Sequence, residues 1–390
     1  MEKKQRIYLD NAATSWPKPA AVYTATDAYQ RELGAPAGRS HYQQADEVQR
    51  TVARTRHQLA RLLGATAPEQ VVFTSGGTGS LNQAIHGCLR LGDHVVTTVA
   101  EHNSLLRPLR YLEEQGRITV TRVGCGTSGQ IDPSEVRQAM TSQTRLVAML
   151  HVSNVTGAVQ PVQEVGQIAR EAEAFYLIDV AQSLGHTPIK VADCQADLVA
   201  GSGHKGLMGP LGLGVLYVGE RIQAELEPLV QGGTGTQSEL DQQPVGMPEK
   251  YESGNLNVVG IVGLAAALDH LQEVGLAVVE QHLRDRTAEL IEGFSGIAGV
   301  QQYGPSDAAR QLGVVSINIG QYEPQEAATI LDQAYSVQTR AGLHCAPLMH
   351  RALETLPQGG TLRFSPGWFT TAEEIQVAVQ AVAEIAKSAP

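Results

Sequence analysis

The chain has 390 residues, of which 42% are apolar, 18% charged and 5% aromatic, with 40 glycines. This composition is typical of a globular protein with a large core and excludes a disordered or collagen-like chain. The 40 acidic and 29 basic residues leave a formal net charge of −11, which argues against nucleic acid as the main partner, because phosphate binding needs a basic surface.

Signals for export, membrane insertion and metal binding are weak. The first residues are largely charged and no apolar segment follows them, so we expect no secretory signal. The longest apolar stretch, Val258–Leu268, is too short to span a bilayer. The four cysteines, Cys88, Cys125, Cys194 and Cys345, are far apart and form no C-x-x-C pair. We therefore expect no disulfide scaffold and no metal site, and predict a reduced, cytoplasmic protein without a membrane partner.

The first two thirds of the chain predict an α/β architecture. Apolar residues at helical spacing from Ala45 to Leu62 indicate a long amphipathic helix. Between residues 70 and 219, apolar β-branched runs alternate with helical patterns such as Pro161–Ala174. The predicted strands are Gln70–Thr74, His94–Val99, Ile118–Val123, Arg145–His151, Phe175–Val180, Asp197–Ala200 and Val215–Val218. Such strands favour a mostly parallel sheet covered on both faces.

The pattern changes after a glycine-rich loop at residues 231–235. Helices are expected between about 257 and 295, followed by a strand at Val314–Ile319 and a helix at Pro324–Ala334. Thr371 and Glu374 have the spacing of a capping box that opens a last helix. We interpret residues 300–390 as part of a smaller α+β domain, with a boundary near 255.

The segment Ser75-Gly76-Gly77-Thr78-Gly79 follows a predicted strand and precedes a helix. Glycines let the backbone approach a ligand closely, and a helix N-terminus offers free N–H groups, so the segment is a candidate phosphate cradle. A tight strand-to-helix turn is the alternative, and the more common one for such a segment alone. The spacing matches neither of the common nucleotide-binding patterns.

Asp179 ends an apolar strand, at the edge where ligands bind in open α/β sheets. Its carboxylate could hold a positive charge, such as a protonated pyridine nitrogen. It could equally cap the segment that follows, and the residue alone does not decide between these two roles.

Lys205 lies among small residues in Gly201-Ser-Gly-His-Lys-Gly206. A lysine in such surroundings can be desolvated, which lowers the pKa of its amine and makes it a candidate Schiff-base nucleophile. The alternative, a solvated surface charge, is less favoured here than for most lysines.

Cys345 lies in Arg340-Ala-Gly-Leu-His-Cys345-Ala-Pro, a predicted loop. Its basic neighbours could give a thiolate of low pKa, whereas a lone cysteine is more often a small buried apolar residue. A phosphate cradle, an acid and a lysine together are the parts that an enzyme using pyridoxal 5′-phosphate (PLP) needs.

In order along the chain, several segments resemble the motifs of the cysteine desulfurases, which belong to the class-V aminotransferase family of fold-type I PLP enzymes. These segments are Tyr8-Leu-Asp-Asn-Ala-Ala-Thr-Ser15, Phe73-Thr-Ser-Gly-Gly-Thr78, Glu101-His-Asn-Ser104, His151-Val-Ser-Asn-Val-Thr-Gly157, Asp179-Val-Ala-Gln182, Ser202-Gly-His-Lys205, Tyr251-Glu-Ser-Gly254 and Arg363-Phe-Ser. Arg340-Ala-Gly-Leu-His-Cys345 is similar to the R-x-G-x-x-C of the SUF-type (group II) desulfurases and the selenocysteine lyases. The resemblance covers nearly the whole chain. It implies a large PLP-binding domain with a seven-stranded sheet over residues 16–256 and a small α+β domain from residues 1–15 and 257–390.

The resemblance also implies a role for each matching residue. Lys205 would be the Schiff-base lysine and proton carrier, Cys345 the nucleophile, and His102 a ring that stacks on the cofactor and shuttles a proton. The cofactor would also contact Gly77, Thr78, Asn154, Asp179, Gln182, Ser202, His204 and Asn255. The substrate pocket would include Asn11, His41, Asn154, Arg340 and Arg363, of which Arg363 would hold the substrate carboxylate.

The implied reaction converts L-cysteine to L-alanine and leaves a persulfide on Cys345. A homodimer is implied, and a sulfur-acceptor protein or a thiol reductant would take the sulfur for iron–sulfur clusters or other cofactors. A selenocysteine lyase or a cystine or cysteine C–S lyase on the same scaffold is the nearest alternative. A plain aminotransferase fits less well, because Cys345 would then have no use. A catalytically inactive scaffold protein fits less well, because Lys205 and Cys345 would both have no use.

Two positions depart from the family pattern. Many members have Thr where this chain has Asn255, and that residue usually reaches the cofactor phosphate of the partner subunit. Gly79 stands where Glu is frequent. Neither departure affects Lys205, Asp179 or Cys345.

Overall fold

The computed structural model describes residues 6–38, 40 and 42–388. The elements of the first half are β1 (Ile7–Tyr8), α1 (Ala20–Ala28), α2 (Gln43–Leu63), β2 (Val71–Thr74), α3 (Gly77–Cys88), β3 (Asp93–Thr98), α4 (Asn103–Glu114), β4 (Ile118–Val123), α5 (Pro133–Ala139), β5 (Thr144–Leu150), α6 (Val162–Glu171), β6 (Phe175–Asp179) and β7 (Leu198–Ser202). The second half contains β8 (Gly214–Val218), α7 (Glu220–Gln223), α8 (Val258–Val274), α9 (Leu276–Ser295), β9 (Val300–Tyr303), β10 (Val315–Ile319), α10 (Pro324–Tyr335), β11 (Val337–Gln338), β12 (Arg340–Gly342), α11 (Pro347–Ala352), β13 (Thr361–Phe364) and α12 (Ala372–Lys387). Short π- or 3₁₀-helical turns lie at Tyr29–Leu33, Pro68–Gln70, Ala308–Arg310 and Leu356–Gln358.

The main sheet has seven strands in the order β2-β8-β7-β6-β5-β3-β4. Only β8 runs antiparallel to its neighbours within this described sheet. The prediction of a mostly parallel, seven-stranded sheet is therefore confirmed, and the predicted strand ends agree with the observed ones within two residues.

Helices cover both faces of this sheet, which explains why its inner strands β5 to β8 are largely apolar and buried, whereas the edge strand β4 also carries exposed residues. Neighbouring strand residues alternate between two apolar clusters, as the two-residue period of a strand requires. Ile178 packs into the cluster that contains residues of α2, α6 and α8, whereas Leu177 packs into the cluster formed with α3 and α4.

A second, antiparallel sheet has the order β12-β13-β10-β9 and packs against α9, α10 and α12 around a third apolar cluster. The capping box at Thr371 and Glu374 is formed as predicted. The strand β1 pairs in parallel with β11, so the start of the chain joins this second unit.

The helix α8 packs on α1 and α2 and contributes to the same cluster as the main sheet. Residues of α9 take part in both units, with Leu283 in the first cluster and Phe294 in the third. The chain thus passes from the first apolar cluster to the third within α9, which lies after residue 256. The predicted domain boundary at residue 256 stays a prediction.

Within the described ranges, no single helix is long and apolar enough to cross a membrane. The helices α8 and α9 meet the length and composition criteria only as a pair, and they are bent by 83° where they meet.

Candidate active site

A cavity of about 550 Å³ opens at the carboxyl ends of β2, β3, β5, β6 and β7. It lies at the sheet edge where open α/β folds bind their ligands. Eleven of the predicted site residues line it: Gly77, Thr78, His102, Asn154, Asp179, Gln182, Ser202, His204, Lys205, Arg340 and Arg363. The fold therefore gathers residues that are up to 286 positions apart in the sequence.

The glycine-rich turn after β2 forms one wall of the cavity. Gly76 has φ 149° and ψ 172°, a conformation open essentially only to glycine, and it leads directly into α3. A Cβ atom on Gly77 would lie 2.4 Å from Oγ of Ser202, so a larger residue would fill the space at the N-terminus of this helix. The hydroxyl groups of Thr78 and Ser104 are 2.8 Å apart.

Asp179 ends β6 and is buried at the floor of the cavity. Its Oδ1 accepts a hydrogen bond from the backbone N–H of Ala181 at 2.8 Å. Burial raises the pKa of Asp179, and the bond to Ala181 and the charge of Lys205 oppose this effect. This backbone hydrogen bond fixes the carboxylate at the strand end. Asp179 therefore both caps the segment that follows and lines the cavity.

Lys205 follows β7 and has an amine of lowered pKa. Burial is the largest cause; Asp179 opposes it, and the guanidinium groups of Arg363 and Arg340 add to it, so the pKa falls to about 8. A substantial fraction of this amine is therefore neutral near pH 7.5, as a nucleophile requires. This buried environment agrees with the prediction that the Lys205 amine is desolvated.

His102 is the N-cap of α4 and is neutral. Its Nδ1 accepts a hydrogen bond from the backbone N–H of Ser104 at 3.0 Å, which places the ring proton on Nε2. Burial, and after it the charges of Lys205 and nearby arginines, lowers the pKa of His102 to about 4. Gln182, on the other side of the cavity, donates a hydrogen bond to the carbonyl oxygen of Ala12 at 2.9 Å.

Two arginines face each other on neighbouring strands, Arg340 on β12 and Arg363 on β13. The Arg363 side chain is only 1% exposed, and it donates to Asp10 Oδ1 at 2.7 Å and to the carbonyl oxygen of Asn154 at 3.0 Å. Its Nε is buried without a hydrogen-bond partner. Arg363 thus lines the cavity with one N–H donor that no group among the described residues satisfies.

Cys345 lies in a turn directly before α11 and is half-buried. Its Sγ is 3.5 Å from Nη2 of Arg340, which lines the cavity. The turn is held by Asn154, whose side-chain amide donates to the carbonyl oxygen of His344 at 2.5 Å, and by Asn103, whose backbone N–H donates to the carbonyl oxygen of Cys345 at 2.7 Å. The thiol is therefore near the cavity on a fixed backbone.

The N-terminal segment supports the loop that carries Lys205. The carbonyl oxygen of His204 accepts hydrogen bonds from the side chains of Thr14, Ser15 and Lys18 and from the backbone N–H of Ser15. Burial lowers the pKa of His204 to about 4, and its Nδ1 is buried without a partner.

Two of the other predicted residues, Asn11 and Asn255, do not line the cavity, and Cys345 is connected to it through its contact with Arg340. Asn11 is buried behind its wall, where its amide bonds to the carbonyl oxygens of Ser365 and Tyr8 and to the N–H of Trp16. Asn255 is exposed in the segment before α8 and does not line the cavity of its own chain. His41 lies outside the described residues.

Three further residues belong to the site although no role was predicted for them. Ser104 lines the cavity, Asp10 pairs with Arg363, and Glu101 is fully buried next to Asp179. Each lies in one of the motifs that carry the family resemblance, and this is the signal that could have found them. Among the residues that the structure describes, no group of three His, Cys, Asp or Glu could hold a metal ion.

The arrangement supplies a lysine nucleophile, a buried acid, a cradle for an anion, a buried arginine and a nearby thiol. The family model for Aminotransferase class-V matches residues 7–377. The chain is 36% identical over 387 residues to a probable cysteine desulfurase of Methanothermobacter thermautotrophicus, with 98% of this chain and 95% of that protein covered. It is 33% identical to a probable cysteine desulfurase of Pyrococcus abyssi, covering 98% and 94%.

Solved structures agree with these relatives. The apo structure of a cysteine desulfurase from Thermococcus onnurineus matches with a TM-score of 0.92 and 32% identity, covering 98% of this chain and 95% of that one. The cysteine desulfurase CsdA from Escherichia coli, in an S-sulfonic acid form, matches with a TM-score of 0.87 and 26% identity, covering 99% and 96%. The chain therefore belongs to the class-V aminotransferase family and, within it, to the cysteine desulfurases.

Proposed function

We propose that this desulfurase uses PLP to convert L-cysteine to L-alanine and that Cys345 receives the sulfur as a persulfide. The observation that carries the proposal is the position of the thiol. Cys345 Sγ is 3.5 Å from Arg340, which lines the same cavity as Lys205, Asp179 and Arg363. An aminotransferase or a simple C–S lyase would not need a thiol at this place.

The cavity has properties that fit PLP. Its volume lies in the range of small-molecule sites. Gly77 leaves open the space that a Cβ atom would fill, at the N-terminus of α3, where an anion is favoured. The buried side-chain atoms Asn154 Oδ1, His204 Nδ1 and Arg363 Nε, all on cavity residues, have no partner within the protein and are available to a ligand.

The family resemblance supplies the roles that we propose for the residues that would hold the cofactor. Lys205 would bind it covalently, Asp179 would pair with the pyridine nitrogen, and Gln182 with the ring oxygen. The contacts to the ring face, its edge and the phosphate would come from His102, Asn154, Gly77, Thr78, Ser202 and His204. The Asn255 position would contact the phosphate in the partner subunit of a dimer.

When bound, PLP supplies an electron sink that eases loss of the Cα proton. Lys205 removes this proton, since its amine, with a pKa of about 8, can be neutral at physiological pH and is charged again after it accepts the proton. Arg363 binds the substrate carboxylate, because its buried guanidinium has an N–H to spare.

Cys345 acts on the substrate sulfur as a thiolate, which is the nucleophilic form. A sulfur–sulfur bond forms, the Cβ–S bond breaks, and its electron pair remains with the carbon skeleton, which is protonated to alanine. The balance is one cysteine and one enzyme thiol to one alanine and one enzyme persulfide. No external oxidant is needed.

The test is the organic product from L-cysteine, measured for the purified protein and for Cys345→Ala. We expect alanine from the wild type and a loss of alanine formation in the variant. Cys125→Ala, which removes another half-buried thiol, is the control and should retain activity. Formation of pyruvate and ammonia, unaffected by Cys345→Ala, would show β-elimination and would disprove the role of Cys345.

The dimer is part of the same proposal. Exposed apolar side chains are concentrated between residues 229 and 245, where Leu229, Val230, Leu240 and Val245 are between 47% and 86% exposed. A second copy of the chain would cover them and would bring Asn255 to the partner's cavity. Sedimentation should give twice the chain mass of 41.6 kDa; a fully active monomer would refute this point.

The sulfur would leave Cys345 for an acceptor protein or a thiol reductant and would serve iron–sulfur or other cofactor synthesis. The turn is accessible enough for this transfer, since Leu343, two residues before the thiol, is 38% exposed. Dithiothreitol should release sulfide from the wild type after incubation with cysteine, and none from Cys345→Ala.

A further inference from the structure

The turn before α11 contains two consecutive residues in the left-handed region, His344 with φ 47° and Cys345 with φ 59°. Residues other than glycine adopt this conformation rarely, and they keep it only where the surrounding structure holds them. The proposed nucleophile is itself one of the two. The contacts that hold the turn therefore decide where the thiol lies.

The side chain of His344 supplies one of these contacts. It is 2% exposed, and its Nε2 is 3.0 Å from both the carbonyl oxygen and the hydroxyl of Thr361 on β13. Thr361 is the register partner of Gly342, which ends β12. The imidazole thus ties the turn back to the strand that also carries Arg363.

The direction of this hydrogen bond is defined by its partner. A carbonyl oxygen can only accept, so Nε2 of His344 carries the proton and donates it to Thr361. The other nitrogen, Nδ1, is buried without a partner. Burial, helped by nearby charges such as Arg363, lowers the pKa of His344 well below its ordinary value. The His344 ring is therefore a neutral hydrogen-bond donor and places no positive charge beside the thiol.

The backbone of the turn connects this contact to the substrate arginine. The carbonyl oxygen of His344 accepts from the side chain of Asn154, and the carbonyl oxygen of Asn154 accepts from Arg363. A displacement of His344 would therefore move the thiol relative to the guanidinium that binds the substrate carboxylate.

We propose that His344 is a positioning residue for Cys345: its Nε2–H bond to Thr361 holds the left-handed turn that places the thiol against the substrate sulfur. The proposal rests on the role of Cys345 given above. His344 itself does not touch the substrate in this scheme and exchanges no proton with it.

The experiment compares His344→Phe, which keeps a ring but removes the donor, with His344→Gln, which retains an N–H. His350→Phe is the matched control, because His350 is a second buried histidine whose ring is 5.5 Å from that of His344 and which bonds to Thr355 instead. Alanine formation by the holoenzymes gives kcat and KM. Hydrogen exchange of residues 343–346 reports the order of the turn without reference to activity.

We expect His344→Phe to lower kcat about 10- to 100-fold, with KM for cysteine within twofold, because a small displacement of a reacting group has effects of this size. Exchange at residues 343–346 should accelerate. His344→Gln should recover most of kcat, and His350→Phe should leave kcat within threefold. If His344→Phe does not fold, Thr361→Val, which removes one of the two acceptors, should lower kcat about 2- to 5-fold.

Unchanged kcat in His344→Phe, or in Thr361→Val when that variant is used, would overturn the proposal. Equal losses in His344→Phe and His350→Phe, or no change in exchange, would also overturn it. A failure of the proposed function is distinguishable, because Cys345→Ala would then leave product formation from cysteine unchanged, whether the product is alanine or pyruvate, whatever happens at His344.

Discussion

Asp10 and Arg363 are 353 residues apart in the chain, yet Asp10 Oδ1 accepts a hydrogen bond from Arg363 Nη2 at 2.7 Å. The arginine is almost fully buried, and burial lowers its pKa, while Asp10 opposes that effect. A buried charge needs a partner, and this carboxylate at the start of the chain supplies it. The proposed site for the substrate carboxylate therefore depends on the N-terminal segment.

Asp10→Asn removes the countercharge and keeps the shape. We expect a loss of about 1–3 kcal/mol of stability, because Asp10 is partly exposed and the full penalty of a broken buried pair is reduced accordingly. KM for cysteine should rise about tenfold, since the guanidinium is no longer held. Thermal midpoints and steady-state kinetics measure both. Asp307→Asn, in an exposed pair with Arg310, is the control and should change neither.

The pKa of Lys205 predicts a pH dependence for cofactor uptake. Only the neutral amine reacts with an aldehyde, and the pKa of about 8 is below the usual lysine value. The rate at which cofactor-free protein takes up PLP should therefore rise with pH and level off above about 8. Absorbance at the cofactor band follows the reaction.

Two variants test the causes of this shift in opposite directions. Asp179→Asn removes a charge that raises the pKa of Lys205, so the midpoint should move down. Arg340→Ala removes a charge that lowers it, so the midpoint should move up. A midpoint near 10 in the wild type, or no displacement in either variant, would contradict the assignment.

Glu101 predicts a pH dependence of stability. Burial raises the pKa of this carboxyl well above its ordinary value, so the folded protein holds a proton that the unfolded chain releases. The contribution of Glu101 to stability should therefore fall as pH rises from about 5 towards the folded pKa, by about 1.4 kcal/mol per pH unit at most. Glu101→Gln removes this dependence.

The difference in thermal midpoint between Glu101→Gln and the wild type should thus grow in favour of the variant between pH 5 and 8. Glu113→Gln is the control. The side-chain hydrogen bond from Arg122 lowers the pKa of Glu113, so both states are ionised over this range and the difference should stay constant. Parallel curves for Glu101→Gln and wild type would refute a protonated Glu101.

A buried ion pair stabilises the part of the fold that contains the main sheet. Arg56 binds Glu252 through two hydrogen bonds of 2.7 and 2.8 Å and also donates to the carbonyl oxygen of Val71. Arg56→Met removes the countercharge of the buried Glu252 carboxylate, which then keeps only the hydrogen bond from the backbone N–H of Phe73, and we expect it to cost about 3–5 kcal/mol. Arg54→Met, in the exposed pair with Asp269, should cost no more than about 1 kcal/mol. Similar midpoints for the two variants would contradict this distinction.

The sequence predicted the elements that have a local signature. Most inner strands of the main sheet are continuous apolar runs, and Asp179 ends one such run and Lys205 follows another, so their placement at the cavity was accessible from the pattern alone. The glycine-rich turn after β2 also has a local cause, because Gly76 has φ 149° and ψ 172°, a conformation that favours glycine.

The parts that could not be predicted depend on contacts between distant segments. Asn11 lies in a motif that carries the family resemblance, but its amide donates a hydrogen bond to the backbone carbonyl of Ser365 and does not line the cavity. The left-handed residues of the turn at Cys345 are not glycines, so the sequence gives no signal for this conformation. The turn is held by hydrogen bonds with Thr361, Asn154 and Asn103. No periodicity encodes such contacts.

The tie between the first residues and the last third of the chain also sets the order in which the molecule can be completed. Ile7 can form its strand pairing only after Val337 has been synthesised, and Asp10 can form its ion pair only after Arg363 has been synthesised. The strands of the main sheet, in contrast, have all been synthesised by residue 218. During synthesis, the floor of the cavity can therefore form before residues 7–10 find their partners, and the site is completed only after Arg363 has been made.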